Sequence, residues 1–302
     1  MPAGGWQVHV LDVVAAADLA ALAALIAAAR AVDGIAPLNE HTSLQLHGVF
    51  PGVRHLVTHV DGELAGYAQI ELDAGSRSPA STELVVAPDH RRRGVATALA
   101  TQALAEAAGR PMLAWAHGTT HGAAALADRL GFVAVRALLQ MGRPLEGVAE
   151  PADPPAGIRI RTFVPGRDED AWLAVNAAAF AHHPEQGHWT RADLAAREAE
   201  GWFDPAGFFL AETTGVPSQV VGFHWTKVEE GAGEVYVVGI DPSAQGGGLG
   251  KVLLLTGLRY LRSRGCSDVD LYVESDNTAA RALYERQGFA VRVTDTMYRR
   301  EP

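Results

Sequence analysis

The chain is poor in the features that mark several classes of protein. Cys266 is its single cysteine among 302 residues, so no disulfide can form within the chain and a reducing compartment is expected. Its most alanine-rich stretch, Ala20 to Ala29, is too short and too weakly apolar to span a bilayer. The N-terminus has no basic segment followed by an apolar run, so no signal peptide is expected. These absences predict a soluble, cytoplasmic protein.

Positive charge is also scarce. Lysine and arginine number 25 against 35 aspartates and glutamates, which gives a formal net charge of −10. Nucleic acid and anionic membranes repel such a chain, so neither is expected as a partner. Three histidines, His182, His183 and His188, lie close to Glu185, but their spacing fits no usual zinc pattern. No metal is therefore expected.

Length and apolar content favour two globular domains. A chain of 302 residues exceeds the usual size of one domain, and 48% hydrophobic residues are enough for real cores. One stretch, 145–157, contains three prolines and no periodic pattern, as linkers do. We therefore expect an N-terminal domain over 1–144, this linker, and a C-terminal domain over 158–302.

Both halves show the same order of predicted elements. Each runs strand, two helices, further strands, a loop that opens a helix, then strand, helix and strand. The segment Ala87-Pro88-x-x-Arg91-x-x-Gly94-x-Ala96 aligns with Asp241-Pro242-x-x-Gln245-x-x-Gly248-x-Gly250. Leu130-Gly131-Phe132 aligns with Gln287-Gly288-Phe289, at a separation only three residues different. The pattern predicts a tandem duplication.

The stretch from Glu234 to Lys251 is the most informative. It predicts a strand, which Asp241-Pro242 ends, and then a glycine-containing loop that leads into a helix. Glycines let backbone N–H groups approach an anion, and the helix N-terminus adds its dipole. No Gly-Lys-Ser/Thr ends the loop, and Gly-x-Gly-x-x-Gly is missing, so neither a P-loop nor a Rossmann fingerprint is present. A glycine loop alone is often only a tight turn, but here the flanking elements favour an anion site.

Gln245-x-x-Gly248-x-Gly250 after such a strand resembles the pyrophosphate loop of the GCN5-related N-acetyltransferases (GNATs), which bind acetyl-CoA. The resemblance implies acetyl-CoA as co-substrate. It also implies a fold of the α/β (α+β) class. We therefore expect two tandem acetyltransferase domains, each a mixed, mainly antiparallel sheet with helices on both faces.

Attack of an amine on a thioester needs a neutral amine, a donor for the oxyanion, and stabilisation of the leaving thiolate. Glu234, at the head of its strand, can take the proton of the amine; the alternative is an edge-strand acid that faces solvent. A backbone N–H near Val238 can serve as oxyanion donor if the strand bulges beyond Tyr236. Tyr284 lies in a helix that Asn277 opens, and it resembles the acetyltransferase tyrosine beside the CoA sulfur; the alternative is a core tyrosine.

The N-terminal copy departs from this pattern at both catalytic positions. By the aligned motifs, Ala80 stands where Glu234 stands, and Glu83 follows three residues later. Ala127 stands where the C-terminal copy has its tyrosine. The N-terminal loop carries three arginines, Arg91 to Arg93, which suit phosphate. We expect this copy to bind or support rather than catalyse.

Longer strings resemble the mycothiol synthase family over nearly the whole chain. Among them are Trp115-Ala-His-Gly-Thr, Gly222-Phe-His-Trp-Thr-Lys, Gly233-Glu-Val-Tyr-Val and Leu271-Tyr-Val-Glu-Ser-Asp-Asn. That family acetylates the cysteinyl amine of cysteinyl-glucosaminyl-inositol (desacetylmycothiol) with acetyl-CoA. The resemblance implies an enzyme with this small-molecule substrate, and we expect a monomer.

The resemblance also implies which positions contact the two ligands. Substrate contacts fall on Glu40, Glu185, Lys227, Glu234 and Tyr272. Acetyl-CoA contacts fall on Leu84, Val85, Val86, Arg91, Arg92, Arg93, Gly94, Val95, Ala96, Val238, Gly239, Ile240, Gln245, Gly246, Gly247, Gly248, Leu249, Gly250, Lys251, Asn277, Ala280 and Arg281.

Some points stay open at the level of sequence. Gly246-Gly247 stand where many relatives are expected to carry arginine, so this loop must rely on backbone donors. Trp225 can lie against a sugar face or be a tryptophan of the core. The remaining alternatives for function are a GNAT that acetylates another amine, such as a drug, a polyamine or a peptide N-terminus, and a non-catalytic acyl-CoA sensor.

Overall fold

The computed structural model describes residues 6–72, 78–181 and 186–302. The N-terminal half contains β1 (His9–Leu11), α1 (Ala16–Asp33), α2 (Glu40–Leu44), β2 (Val53–Val60), β3 (Glu63–Glu71), β4 (Ala80–Val86), α3 (Val95–Glu106), β5 (Met112–Ala116), α4 (His121–Arg129) and β6 (Val133–Pro144). The C-terminal half contains β7 (Ile158–Thr162), α5 (Glu169–Ala179), α6 (Arg191–Glu198), β8 (Phe208–Thr213), β9 (Val220–Glu229), β10 (Ala232–Ile240), α7 (Leu249–Ser263), β11 (Asp268–Glu274), α8 (Thr278–Arg286) and β12 (Ala290–Arg300). No helix in these ranges is long and apolar enough to cross a membrane.

The element order agrees with the duplication predicted from the sequence. Each half runs strand, two helices, three strands, helix, strand, helix and strand. The sequence predicts Asn39 as a helix cap, and its side chain caps α2 by accepting a hydrogen bond from the N–H of Thr42 at 2.7 Å. The sequence predicts a first strand from Gly5 to Leu11; the strand begins at His9, and Gly5 lies outside the described residues.

The chain forms two compact units that are interleaved in sequence. The first unit takes Met1–Leu139, Glu274–Asp276 and Val293–Pro302, and the second takes Gln140–Val273 and Asn277–Arg292. Residues 145–157, all of them described, contain neither helix nor strand. The predicted domain boundaries stay a prediction. The compact units differ from them because part of β12 pairs with β5 in the first unit.

In the first unit the strand order is β1-β2-β3-β4-β5-β12. The recorded pairs are antiparallel except for β4 with β5, which are parallel. Helix α1 packs Leu22 and Leu25 with Tyr67 in one core cluster. Helix α3 packs Leu99 with Ile70 in another. Tyr67 and Ile70 are an odd number of residues apart on β3, so their side chains lie on opposite faces of the sheet. The unit is thus a mixed sheet with helices on both faces.

In the second unit, which includes β6 only from Gln140 onward, the strand order is β6-β11-β10-β9-β8-β7, and β10 pairs in parallel with β11. An aromatic cluster fills the face under α5 and α6. Trp172 and Trp225 are fully buried there, and the Trp225 ring stacks on Phe208 with centroids 4.4 Å apart. The interpretation of Trp225 as a sugar-stacking residue is therefore wrong, because no face of its ring reaches solvent. Helix α7 covers the other face through Leu249 and Leu253.

Gly257 of α7 lies against the buried ring of His224, where a Cβ atom would overlap the imidazole. His224 is held by the hydrogen bond from Nδ1 to the carbonyl of Leu253 at 2.8 Å, and burial lowers its pKa to about 4. Gly257→Ala should lower the free energy of unfolding by about 1–3 kcal/mol through overpacking. Alanine normally stabilises a helix relative to glycine, so propensity alone predicts the opposite sign.

Urea denaturation of Gly257→Ala measures this effect, with Gly122→Ala as a matched control. Gly122 is exposed in α4, and its added Cβ would meet nothing closer than 3.7 Å. The control should be as stable as the parent or slightly more stable. A Gly257→Ala variant that unfolds at the same urea concentration as the control would show that the ring of His224 moves aside freely.

Candidate active site

Strands β10 and β11 run parallel but separate after a short ladder. Among the described residues they pair only at Gly233 with Val269 and at Glu234 with Asp270. On its other side, β10 pairs with β9 along its full length. The edge of β10 beyond Glu234 therefore presents backbone groups that an extended ligand with amide groups can bind, as an added strand would.

β10 also carries the bulge on which the prediction of an oxyanion donor depends. Its register with β9 shifts between Val235 and Val237, so Tyr236 is the extra residue. Bulges commonly redirect a strand beside an active site. The strand thus has the bulge that a backbone N–H donor near Val238 requires. The role of that N–H as oxyanion donor stays a prediction.

The loop after β10 leaves room in front of α7. Gly246 and Gly248 have φ of +88° and +83°, which glycine adopts without strain. A Cβ atom on Gly246, Gly247 or Gly248 would meet nothing within 4 Å, and Gly248 is the N-cap of α7. An anion can thus approach the backbone N–H groups at the start of α7, of which that of Lys251 also donates to the carbonyl of Gly248. Lys251 follows in this turn and is exposed.

Helix α8 packs beside the start of α7. An added Cβ on Gly250 would lie 3.1 Å from Cδ1 of Ile240 and 3.5 Å from Cδ2 of Leu283. The structure therefore brings together the end of β10, the loop and α8, which carry the predicted acetyl-CoA contacts of this half. The side chain of Asn277 accepts a hydrogen bond from the N–H of Ala280 at 3.1 Å and so caps α8.

Tyr284 lies on α8 and is buried, with 6% of its surface exposed. Its ring centroid lies 5.7 Å from that of Phe289. Burial raises the pKa of the Tyr284 phenol above its ordinary value, so the hydroxyl stays protonated and can donate a hydrogen bond.

Glu234 lies between charged neighbours on both adjacent strands. Lys227 is its partner on β9 and Asp270 its partner on β11. Burial raises the pKa of Glu234, Lys227 lowers it, and Asp270 and Glu229 raise it further, so the net pKa lies above the ordinary value. Glu234 is therefore not a solvent-facing edge acid, since β10 has neighbours on both sides at this point.

Lys227 is also more constrained than a solvated lysine at a strand end. Its Nζ atom lies 2.8 Å from Oε2 of Glu229 and 5.0 Å from the ring centroid of Trp202. Burial lowers the pKa of Lys227, but the hydrogen bond to Glu229 and the charge of Glu234 raise it, and the net pKa lies above the ordinary value. Lys227 therefore presents a fixed positive charge beside Glu234.

Sequence reasoning gave no role to several residues around this carboxylate. The Nε–H of Arg197 donates to the hydroxyl of Tyr236 at 2.9 Å, and the guanidinium lies 3.7 Å from the ring centroid of Trp189. The rings of Trp202 and Tyr236 have centroids 4.9 Å apart. Tyr236 lies in Gly233-Glu-Val-Tyr-Val, one of the strings that carried the family resemblance, but no pattern pointed to Arg197.

Of the other predicted substrate residues, Tyr272 and Glu40 are described in the structure and Glu185 is not. Tyr272 lies on β11 and is 52% exposed, two residues after Asp270. Glu40 is the first residue of α2, in the first unit. Glu185 lies outside the described residues, as do His182 and His183. Within 6–72, 78–181 and 186–302 no group of three or more His, Cys, Asp or Glu side chains could hold a metal ion.

The first unit has a cavity of about 510 Å³ where β4 and β5 separate. These strands pair from Ala80 to Thr82 and then diverge. In the second unit, β10 and β11 diverge after Glu234, which aligns with Ala80, so the first unit opens two positions later. Most of the predicted acetyl-CoA contacts of this half line the cavity, namely Leu84, Val85, Val86, Arg91, Arg92, Gly94, Val95 and Ala96. Ala127 lines it as well, where the second unit has Tyr284.

The arginines of the N-terminal loop have unequal roles. The Arg91 guanidinium donates to both carboxylate oxygens of Asp33 at 2.7 Å, so it is already paired. Arg92 and Arg93 are exposed, and only they keep charge for a phosphate. Nε1–H of Trp6 donates to the carbonyl of Arg93 at 2.9 Å, and this exposed hydrogen bond fixes the backbone of the loop.

Glu83 does not replace the missing base of the first unit. It accepts hydrogen bonds from the backbone and side chain of Asn39, at 3.0 and 2.8 Å, and from Nε2 of His117 at 2.8 Å. Burial lowers the pKa of His117, but hydrogen bonds to Asp295 and Glu83 raise it to about 9. Glu83 therefore sits in a buried ion pair with its oxygens already engaged.

Comparison with known proteins agrees with this geometry. The family described as "Acetyltransferase (GNAT) family" matches residues 24–132 and 174–289, one match in each half. The sequence and fold thus define a tandem N-acetyltransferase.

Proteins named mycothiol acetyltransferase are similar over nearly the whole chain. The one from Streptomyces avermitilis is 52% identical over 305 residues, which cover 99% of this chain and 97% of the relative. That from Thermobispora bispora is 51% identical and covers 94% of this chain and 96% of the relative. The chain belongs to the mycothiol acetyltransferases of the GNAT family, which confirms the family predicted from the sequence.

Solved structures support the fold. A GCN5-related N-acetyltransferase from Sphaerobacter thermophilus has a TM-score of 0.74 at 26% identity, covering 97% of this chain and 95% of that one. A tandem GNAT protein from the clavulanic acid biosynthesis pathway has a TM-score of 0.67 at 20% identity and covers 98% of each chain. The predicted fold class, two tandem GNAT domains, is confirmed.

Proposed function

We propose that this enzyme transfers the acetyl group of acetyl-CoA to the cysteinyl amine of cysteinyl-glucosaminyl-inositol, a step of mycothiol biosynthesis. The observation that carries the mechanism is the separation of β10 from β11 immediately beyond Glu234. It places a partly buried carboxylate at the point where a backbone edge opens for an extended ligand. The names of relatives about half identical to this chain support the choice of substrate.

The second unit offers acetyl-CoA three kinds of contact. The open edge of β10, from Val238 to Ile240, suits the amides of the pantetheine arm. The N–H groups at the start of α7 suit the pyrophosphate, because they point at the anion and carry the positive end of the helix dipole. Gly246 and Gly247 bring no side-chain charge, so backbone donors and Lys251 hold the phosphates.

Glu234 is the proposed base. Its raised pKa makes it a better proton acceptor than an ordinary carboxylate. It takes the proton of the attacking ammonium, directly or through a water molecule. Lys227, fixed by Glu229, stabilises the ionised carboxylate.

Tyr284 is the proposed acid for the departing CoA. As the amine attacks, the thioester oxygen gains negative charge, which a backbone N–H near the bulge at Tyr236 can stabilise. The C–S bond then breaks, and the thiolate receives a proton or a hydrogen bond from the Tyr284 hydroxyl. A buried phenol that keeps its proton suits a hydrogen bond to the thiolate.

Polar and aromatic side chains near Glu234 suit a pseudo-disaccharide. Trp202 and Tyr236 lie 4.9 Å apart and offer ring surface for a sugar. The exposed Tyr272 offers a hydroxyl for sugar or inositol oxygens. Glu40 and Glu185 stay proposed contacts from the family resemblance.

A panel of amines tests the substrate. We expect kcat/KM for cysteinyl-glucosaminyl-inositol to exceed that for a polyamine, an aminoglycoside and a peptide N-terminus by at least about 10³-fold, since hydroxyl-specific sites reject ligands that leave their polar groups unpaired. A preference for any other amine in the panel would contradict the proposed substrate. Binding of acetyl-CoA without release of free CoA on any amine would indicate the sensor instead.

Two glycine variants test which unit catalyses. Gly94 and Gly248 are the N-caps of α3 and α7, with φ of +92° and +83°, so valine imposes similar backbone strain at each. Gly94→Val should block the first-unit site and leave most of the turnover. Gly248→Val should raise the KM for acetyl-CoA by about tenfold or more, because a side chain then stands where phosphate binds.

Steady-state kinetics at varied acetyl-CoA distinguish these variants, with circular dichroism to show that each is folded. A folded Gly94→Val protein that has lost nearly all activity would mean that the first unit takes part in catalysis.

A further inference from the structure

We propose that Asp270 and Arg292 act as a positioning pair for Glu234, setting how tightly its carboxylate holds a proton. This inference rests on the proposed role of Glu234 as base. Neither Asp270 nor Arg292 has a role in the proposed mechanism.

The sheet places Asp270 directly beside Glu234. The two residues are register partners of the parallel ladder between β10 and β11, so their side chains lie on one face of the sheet. On the other side, Lys227 of β9 is the partner of Glu234. Glu234 therefore stands in a row between a cation and a second carboxylate.

Asp270 is held on both of its oxygens. Nη1–H of Arg292 donates to Oδ1 at 2.8 Å, and Nε2–H of Gln140 donates to Oδ2 at 3.3 Å. The same Nη1 atom also contacts Oδ1 of Asp268. A Cβ atom on Gly142 of β6 would overlap both Arg292 and Asp270, so this glycine leaves the space that the pair occupies.

The physical consequence is a balance of charge around the base. Lys227 and Glu229 face Glu234 from β9, Asp270 faces it from β11, and Tyr236 follows on its own strand. Asp270 disfavours the ionised form of Glu234, and Arg292 offsets that repulsion through its ion pair. Because Arg292 and Asp270 are about one-third exposed, with 37% and 33% of their side-chain surfaces accessible, solvent screens part of the effect.

Opposite shifts of the pH–rate profile test this pair. Asp270→Asn removes the repelling charge, so the acid limb of kcat/KM should move to lower pH. Arg292→Gln leaves Asp270 and Asp268 uncompensated, so the limb should move to higher pH. At a pH on the limb we expect changes of roughly two- to tenfold, in opposite directions, as for neighbouring charges partly screened by solvent.

Three comparisons separate this mechanism from a structural role. Arg292→Lys keeps the charge and should restore the parent profile. Arg292→Gln should have a smaller effect in the Asp270→Asn background than in the parent, because Arg292 acts mainly through Asp270. Arg299→Gln removes an arginine of the same strand whose partner is the exposed Glu301, and it should leave the profile unmoved.

Direct titration of the carboxylate distinguishes failure of this inference from failure of the proposed base. The ¹³C signal of the Glu234 carboxyl, assigned by its loss in Glu234→Gln, should titrate at lower pH in Asp270→Asn and at higher pH in Arg292→Gln. An unmoved titration in both variants would overturn the inference even if Glu234→Gln is inactive. A normal pH profile in Glu234→Gln would overturn the base, and the titration would still decide whether Asp270 and Arg292 act on this carboxyl.

Discussion

Glu234→Gln should lower turnover by about 10²-fold or more, because glutamine keeps the shape of the side chain but cannot accept the proton of the amine. In the parent enzyme, turnover should fall as pH is lowered through the pKa of Glu234, which burial raises above its ordinary value. The variant should lack this limb. Its deficit should be largest where Glu234 is ionised and the amine is still charged.

The measurement is kcat against pH at saturating acetyl-CoA, with Glu63→Gln as control. Glu63 is exposed at the start of β3, and Glu63→Gln makes the same chemical change at a residue with no proposed role in catalysis. It should have parental turnover. Equal turnover of Glu234→Gln and the parent across the pH range would remove Glu234 from the mechanism.

Tyr284→Phe should lower turnover by roughly 10- to 10³-fold and change acetyl-CoA binding little. The substitution keeps the buried ring and its contact with Phe289 and deletes only the hydroxyl, so the loss of stability should be small. The drop arises because the leaving thiolate loses its donor. Burst-phase kinetics and a binding isotherm for acetyl-CoA separate the two effects.

Tyr260→Phe is the matched control. The Tyr260 hydroxyl on α7 donates to Asp204 at 2.6 Å, so its removal costs about 1 kcal/mol of stability and leaves the chemistry intact. If both variants turn over at the parental rate, Tyr284 is only a core aromatic, and backbone donors with the helix dipole must stabilise the thiolate.

The reverse change, Ala127→Tyr, should not activate the first unit. Ala80 leaves that unit without a carboxylate at the head of its strand. Glu83 cannot substitute for it, because Asn39 and His117 already occupy its oxygens. Appearance of a second catalytic rate in Ala127→Tyr, with the second unit silenced by Glu234→Gln, would contradict this account.

Much of the architecture could be predicted because it depends on local patterns. Hydrophobic periodicity, Pro and Gly at element ends, and the repeated loop motif gave the order of elements and the duplication. The Asn39 cap follows from a residue type and its position alone. The bulge at Tyr236 could be predicted only as a condition for an oxyanion donor, because a bulge depends on how two strands pair.

The rest depends on contacts between residues far apart in sequence. Pairing of β12 with β5 joins the C-terminal strand to the first unit, and no local pattern specifies it. Arg91 looked like a phosphate ligand until Asp33, 58 positions away, proved to be its partner. The sequence left Trp225 open between a sugar-facing residue and a core residue, and the aromatic cluster of α5 and β8 buries it.

The most direct test of the central claim is to identify the product. The enzyme is incubated with acetyl-CoA and cysteinyl-glucosaminyl-inositol, and the product is analysed by mass spectrometry before and after labelling with a thiol reagent. The account predicts one added acetyl group, a thiol that still reacts, one CoA released per product, and almost no product from Glu234→Gln. A product that is acetylated on sulfur after rapid quenching, or release of CoA without any acetylated sugar, would contradict it.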